Sequence, residues 1–282
     1  MTSATPASSA SADLCLPLSG ATRLVAIIGD PIAQVKSPAG VTRALLDHGR
    51  NAIVIPVHAS PADLAECVRG LSRMQNLDGI IVTVPHKFAM HAFCATATER
   101  AQFLGAVNTL RRNADGSWHG DMLDGIGFVR GIREAGCQPE GARALLIGAG
   151  GAGSAIAWSM LDAGVAELAI HDGDLVRRDA LVERLRGRYG ERVRVGTSDP
   201  RGFDVVLNAS PCGMKADDPS PVPLQHLNGA MFVADVITAP AVTPLVQAAR
   251  DLGCKTQVGG GMFAAVCALM VDFLLEAGPL AR

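Results

Sequence analysis

The chain is a succession of short apolar runs separated by amphipathic stretches, beginning with RLVAIIG at 23–29. Runs rich in Val and Ile at 23–29, 52–59 and 79–85 read as buried strands. Between them, 38–50, entered at Pro38, and 61–74 carry helical spacing, and a further helical stretch is expected over 88–105. AVNTLRRN (106–113) and SWHGDML (117–123) flank the tight-turn sequence ADG and predict a hairpin. The second half is more regular. Strands are predicted at 142–150, 167–172, 192–197, 204–210, 231–237 and 255–260, with helices at 151–164 and 175–188. Strands separated by helical stretches imply βαβ units and a parallel sheet. An amphipathic-to-apolar helix over 261–278 is expected to pack back on the first half.

Composition narrows the class. Of 282 residues, 49% are hydrophobic and 18% charged, which supports a packed core and argues against disorder. A net charge of −2 and only 4% aromatics give no footing for nucleic acid or an anionic membrane. Cys15, Cys67, Cys94, Cys137, Cys212, Cys254 and Cys267 show no paired spacing, so they read as reduced thiols of a cytoplasmic protein and not as a disulfide framework or metal site. The Ser/Ala-rich residues 1–22 lack a basic start before an apolar core and read as a loose tail, not a signal peptide. No run of eighteen apolar residues suggests a membrane span.

LLIGAGGAGSAIAWSML sets Gly148, Ala149, Gly150, Gly151, Ala152 and Gly153 between a predicted strand and a helix. Glycines there permit the tight turn and let the backbone approach a pyrophosphate, while the helix N-terminus offers free N–H groups. Asp172 lies 24 residues beyond Gly148 (172 − 148), at the end of the next strand, where a carboxylate binds ribose hydroxyls in NAD sites. Asp174 reinforces that preference, whereas Arg177 or Arg178 could read the phosphate of NADP or simply form a solvated helix face. NAD is favoured, with NADP as the alternative.

Three polar clusters interrupt the first half: Thr83 and Lys87 in VTVPHK, Asn108 in GAVNTL, and Asp121 and Asp124 in GDMLDGIG. Each has an ordinary structural explanation, as a solvated strand end, a turn former or a helix N-cap. Their order says more. GDPIAQVKSP, IVTVPHK, GAVNT, GDMLDGIG, GAGGAG and GGGMFAAV follow one another as GxPxxxSxSP, NVTxPxK, GAVNT, GDNTDGxG, GAGGA and GxGMxxxQ do in the shikimate dehydrogenase family, which the chain resembles from about Val25 to its last helix.

The resemblance implies an α/β protein of two domains. A mostly parallel substrate-binding domain spans 23–123 and is completed by 261–282, and a Rossmann-type dinucleotide domain spans 124–260. It implies NAD(P)-linked, reversible oxidation of a ring secondary alcohol to a ketone, with Lys87 and Asp124 as the catalytic pair and Asn108 holding a substrate hydroxyl. The stretch with Asn208, Ala209, Ser210, Gly213 and Met214, together with Gly261, matches the segments beside the nicotinamide. A lysine beside a carboxylate can take the alcohol proton as hydride leaves, and as ammonium it polarises the carbonyl in reverse.

The departures cluster on substrate groups. The carboxylate-binding SxS pair is Val35 and Ser37, the first Asn of NVTxPxK is Ile81, the Asn-Thr of GDNTDG is Met122 and Leu123, and the late Gln is Val266. Thr83 is retained. The expected substrate is therefore a cyclic alcohol or ketone less polar than shikimate. A true shikimate or quinate dehydrogenase, a non-catalytic NAD-binding regulator, and a methylenetetrahydrofolate-type dehydrogenase are the other readings. The expected assembly is a monomer or homodimer.

Overall fold

The apolar runs become the strands of two six-stranded sheets in the computed structural model, which describes residues 18–215 and 217–281. The first sheet comprises β1 (Arg23–Gly29), β2 (Ala52–His58), β3 (Leu77–Val82), β4 (Thr96–Ala97), β5 (Thr109–Arg112) and β6 (Trp118–Asp121), ordered β2-β1-β3-β5-β6-β4. β1 runs parallel to β2 and β3, and β5 runs antiparallel to β3 and to β6, its hairpin partner. All six residues of β3 are buried, as expected of a strand covered on both faces. Edge strand β2 carries Pro56, which withholds one backbone donor from further pairing. The helices of this half are α1 (Ser37–Asp47), α2 (Leu64–Arg73), α3 (Lys87–His91) and α4 (Glu99–Leu104), and α5 (Asp124–Glu134) is counted with them although the boundary expected at 123/124 assigns it to the second half.

The second sheet is wholly parallel, ordered β12-β11-β10-β7-β8-β9. It contains β7 (Arg143–Ile147), β8 (Glu167–His171), β9 (Val193–Val195), β10 (Val205–Asn208), β11 (Phe232–Asp235) and β12 (Lys255–Gln257), flanked by α6 (Gly151–Asp162), α7 (Leu175–Tyr189) and α8 (Pro244–Asp251). Strand order reverses at β7, which lies between β8 and β10, and ligands of such sheets bind at this switch point. The last helix, α9 (Gly259–Glu276), has a mean hydropathy of 1.6 over 18 residues, enough to span a membrane by length and composition. It is instead a core helix. Leu274 fills the space over Gly79 of β3, Val266 packs onto Gly127 of α5, and Arg111 of β5 pairs with Glu276.

Two expectations need correction, and one helix lies outside them. The continuous helix over 88–105 is broken into α3, β4 and α4. Ala95 and Thr98 donate their backbone N–H groups to Trp118 and Gly120, so an edge-strand pairing with β6 replaces the helix. Thr98 then caps α4 by accepting the Ala101 N–H. Helix α8 was not read from the chain, although Thr243 as N-cap and Pro244 in the first turn form a clear start signal. Of the tail expected over 1–22, residues 1–17 lie outside the described residues, while Thr22 is buried and donates its hydroxyl to Asn51 at 3.1 Å.

The two halves meet through helices. A Cβ on Gly125 of α5 would stand 2.0 Å from the Ala155 carbonyl oxygen of α6, so these helices touch backbone to backbone. Beside this crossing, Arg184 of α7 donates to the Leu104 carbonyl at 2.9 Å, Arg188 pairs with Glu99 at 2.6 Å, and the rings of Phe103 and Trp158 lie 4.4 Å apart. Gly125→Ala should force α5 and α6 apart and destabilise the fold by about 1–3 kcal/mol or more. Chemical denaturation read by circular dichroism checks this, and an unchanged midpoint would contradict the close crossing.

Candidate functional site

Lys87 is presented by the turn that ends β3. The Thr83 N–H donates to the Ile28 carbonyl at 3.0 Å, the His86 N–H returns to the Thr83 carbonyl at 3.0 Å, and the buried His86 ring is tied to the Ala59 carbonyl at 2.8 Å. Lys87 then opens α3, and its Nζ donates to Oδ2 of Asp124, with only 12% and 7% of the two side chains exposed. Asn108, fully buried, donates its Nδ2 to the other Asp124 oxygen at 2.7 Å and accepts the Leu123 N–H at 2.9 Å. Asp124 is not the helix cap that its position suggested. Leu123 occupies the N-cap with no side-chain bond, which leaves the Asp124 carboxylate to Lys87 and Asn108. A lysine and a carboxylate held this way can exchange a proton with a third group, the pair being neutral when the lysine is protonated and carrying one negative charge when it is not.

The glycine loop follows β7 at the switch point. Gly148 has φ +106°, and a Cβ there would stand 2.7 Å from the Ala209 carbonyl. One on Gly153 would stand 2.0 Å from the Gly148 oxygen, so both positions require glycine. Gly150 faces open space. Ala149 is buried and Ala152 half-buried. Helix α6 begins at Gly151 with no side-chain cap and no acidic residue in its first turn, leaving free N–H groups and a partial positive charge. This open cradle fits a dinucleotide pyrophosphate. A Cβ on Gly151 would meet Cδ of Lys87 at 3.1 Å, so the cradle lies directly against the stem of the paired lysine.

Asp172, the residue after β8, is almost fully buried and accepts the Ala149 N–H at 2.6 Å and the Asp174 N–H at 2.8 Å. Arg177 closes on the same carboxylate at 2.7 Å. Arg177 is thus no plain solvated helix face, and Asp172 already has three donors. Burial pushes the Asp172 carboxyl up, but the Arg177 hydrogen bonds and the two backbone N–H groups outweigh it and hold the group below the usual carboxylate range. Arg178 turns to Asp179 at 2.8 Å.

Across the switch point, Asn208 organises the loop after β10. Its Oδ1 accepts from the Ser210 hydroxyl at 2.6 Å and the Ser210 N–H at 3.0 Å, and its Nδ2 donates to buried Asp235 at 3.2 Å. Burial pushes the Asp235 carboxyl up although Ile237, Thr243 and Asn208 all donate to it. Ala209 packs under Gly148, Gly213 has φ +100°, and Met214 is about half exposed at the loop tip. Gly261 lies in the first turn of α9, over the side chain of Gln257.

The substrate-side residues separate by exposure. Val35 and Thr83 are half-buried, and Ser37 is buried at the start of α1. Ile81, Met122, Leu123 and Val266 are 1–5% exposed and belong to the main hydrophobic core, so they form the ground behind the site and not an open surface. Between Val35 and Ser37, Lys36 donates to the Thr238 carbonyl at 3.2 Å, linking the loop after β1 to the loop after β11. A separate cavity of about 570 Å³ lies on the outer side, between α4, α5, α6 and α7, and contains neither Lys87 nor Asp124.

A sequence profile described as the shikimate dehydrogenase substrate binding domain matches residues 27–110. The shikimate dehydrogenase (NADP(+)) of Rubrobacter xylanophilus is 39% identical over 248 residues, covering 86% of this chain and 87% of that protein. A shikimate 5-dehydrogenase from Listeria monocytogenes, solved with shikimate and NAD, is 26% identical, with 94% of this chain and 96% of that one covered and a TM-score of 0.84. The 5-ketofructose reductase of a Gluconobacter strain is 28% identical, with 92% and 95% covered and a TM-score of 0.80.

A carboxylate whose folded pKa is depressed adds stability above its unfolded value, and that stability is lost as pH falls through the folded value. Asp172→Asn should therefore be less stable than the parent at neutral pH, with the gap closing below about pH 4. Thermal melts at pH 7 and pH 3 measure it, and an equal gap at both would contradict the assignment.

Proposed function

Because the chain belongs to the shikimate dehydrogenase family of NAD(P)-dependent oxidoreductases, we propose that it interconverts a ring secondary alcohol and its ketone on a substrate less polar than shikimate. The observation that carries this reading is the Lys87–Asp124 pair with the lysine stem against Gly151 of the dinucleotide cradle. Gly148 to Gly153 would hold the diphosphate and Asp172 the adenosine ribose, and the bound nicotinamide supplies the hydride acceptor or donor. Lys87 takes the hydroxyl proton during oxidation and returns it to the carbonyl oxygen during reduction. Asp124 holds Lys87 in place and balances its charge when it is protonated. Asn108 fixes the second carboxylate oxygen, so that Asp124 keeps one orientation. The buried surroundings of the pair strengthen its hold on charge that develops at the reacting oxygen.

The apolar ground behind the site supports a changed substrate. Val35, Ile81, Met122, Leu123 and Val266 stand where the family pattern has hydrogen-bonding side chains. Each lost bond to a charged group weakens binding by about 1.5–3 kcal/mol. Several together lower shikimate affinity by orders of magnitude. The structural likeness to a 5-ketofructose reductase agrees with substrates that carry no ring carboxylate. Retained Ser37, Thr83 and Asn108 favour a second reading, shikimate or quinate oxidation with reduced affinity.

Steady-state kinetics with shikimate, quinate and a panel of cyclic polyols and keto sugars, with NAD and with NADP, separates the two readings. A kcat/KM for shikimate on the order of 10⁵ M⁻¹s⁻¹ would sink the changed-substrate reading. Lys87→Ala should lower kcat by about 100-fold or more while leaving dinucleotide affinity nearly intact.

For the cofactor, NAD is the favoured partner. Asp172 repels a 2′-phosphate, although Arg177 stands beside it and the Rubrobacter relative is named for NADP(+). Asp172→Ala should shift the ratio of the two dissociation constants toward NADP, measured by fluorescence of the reduced dinucleotides. A parent protein that already binds NADP more tightly would make Arg177 the reader.

A further inference from the structure

The loop from β6 to α5 is only two residues long, yet every residue from Asp121 to Asp124 is held. The Asp121 carboxylate is 2% exposed and accepts the Thr98 hydroxyl at 2.5 Å and the Met122 N–H at 2.6 Å. Its other oxygen pairs with Arg100 of α4. The Asp121 carbonyl accepts the Asn108 N–H at 2.9 Å, and Asn108 in turn accepts the Leu123 N–H and donates to Asp124. A continuous set of contacts thus runs from Arg100 through Asp121 and Asn108 to Asp124 and Lys87.

We propose that Arg100 and Asp121 are positioning residues that fix the Asp124 carboxylate against Lys87, a role that rests on the reading of Lys87 and Asp124 as the reacting pair. Two buried carboxylates, Asp121 and Asp124, flank Asn108 within a few residues of each other. Each has its own cation, Arg100 for the first and Lys87 for the second. Without Arg100, Asp121 becomes an uncompensated buried charge, and the loop must move to find water or another donor. Lys87 is then the remaining cation of this network, which carries a second, uncompensated negative charge. The other charged groups around Asp121 are His119 of β6, whose imidazole is held below its usual value by burial and by Arg111 against the opposite pull of Asp121, and Arg111 of β5 beside that histidine. Neither makes a hydrogen bond or ion pair to Asp121 among the described residues.

Arg100 also sits where the halves join. Its neighbour Glu99 pairs with Arg188, and the Leu104 carbonyl at the end of the same short helix accepts from Arg184, both on α7. The helix that supplies Arg100 is therefore anchored to the second half, and the β6–α5 loop inherits that anchorage.

The test compares Arg100→Met, Arg100→Lys, and the double variant Arg100→Met/Asp121→Asn with the parent. Arg100→Met should lower kcat about 10- to 100-fold, change the dinucleotide dissociation constant less than about twofold, and move the pH limb of alcohol oxidation to higher pH. Arg100→Lys should stay within about threefold of the parent. The double variant, which removes both charges, should recover most of the loss and restore the limb. Hydrogen exchange at the Met122 and Leu123 amides should quicken at least about tenfold in Arg100→Met and return in the double variant. That readout needs no turnover, so it tests the positioning role even if the parent oxidises none of the alcohols and the reading of the reaction fails. Unchanged exchange and an unmoved pH limb in Arg100→Met would overturn the proposal. So would a loss that follows dinucleotide affinity and melting temperature alone. If Arg100→Met does not fold, exchange in Arg100→Lys and in the double variant decides, and faster exchange in both would overturn it.

Discussion

Gly125 has no side chain, and this lets α5 and α6 meet backbone to backbone. Asp124 is the residue before it and the first of α5, and Gly151 is the first of α6. One steric constraint thereby sets the distance between a carboxylate built on the first half and a dinucleotide cradle built on the second. Lys87 fills the remaining space, with its stem on Gly151 and its ammonium on Asp124. The core around α9, the turn after β3 and the hairpin that delivers Asn108 all serve to hold these few atoms in register.

Much of this was legible in the chain because the signals are local. β1 falls on the residues its apolar run marks, the hairpin forms about its turn, and the glycine loop lies between strand and helix. The region 88–105 misled because its helical composition hides a two-residue edge strand, and only the long-range partner β6 reveals that. Contacts between distant residues were equally hidden. No periodicity announces that Arg177 closes on Asp172, that Arg100 neutralises Asp121, or that Lys36 reaches Thr238. The order of motifs pointed to Lys87, Asp124 and Asn108, but that Asp124 leaves its own helix uncapped to reach the other two is a fact of three dimensions.

The apolar exchanges around the substrate side show how sequence comparison and packing answer different questions. Comparison identifies Ile81, Met122, Leu123 and Val266 as missing polar groups. Packing shows where their side chains go, into the main core. The loss of hydrogen bonding and the gain of buried apolar contact are one event seen from two sides. The cleft wall loses donors while the core behind it gains contacts.

The halves are not joined evenly. Arg184, Arg188 and the tilted Phe103–Trp158 ring contact tie them near α4, beyond the β4 edge of the first sheet. At the other end, where the loops after β1 and β11 face each other, Lys36 makes one exposed hydrogen bond to Thr238, worth about 1 kcal/mol. Parting the halves at that end would break this one exposed hydrogen bond, whereas parting them beside α4 would have to break the Arg188–Glu99 pair, the Arg184 bond and the Phe103–Trp158 contact together.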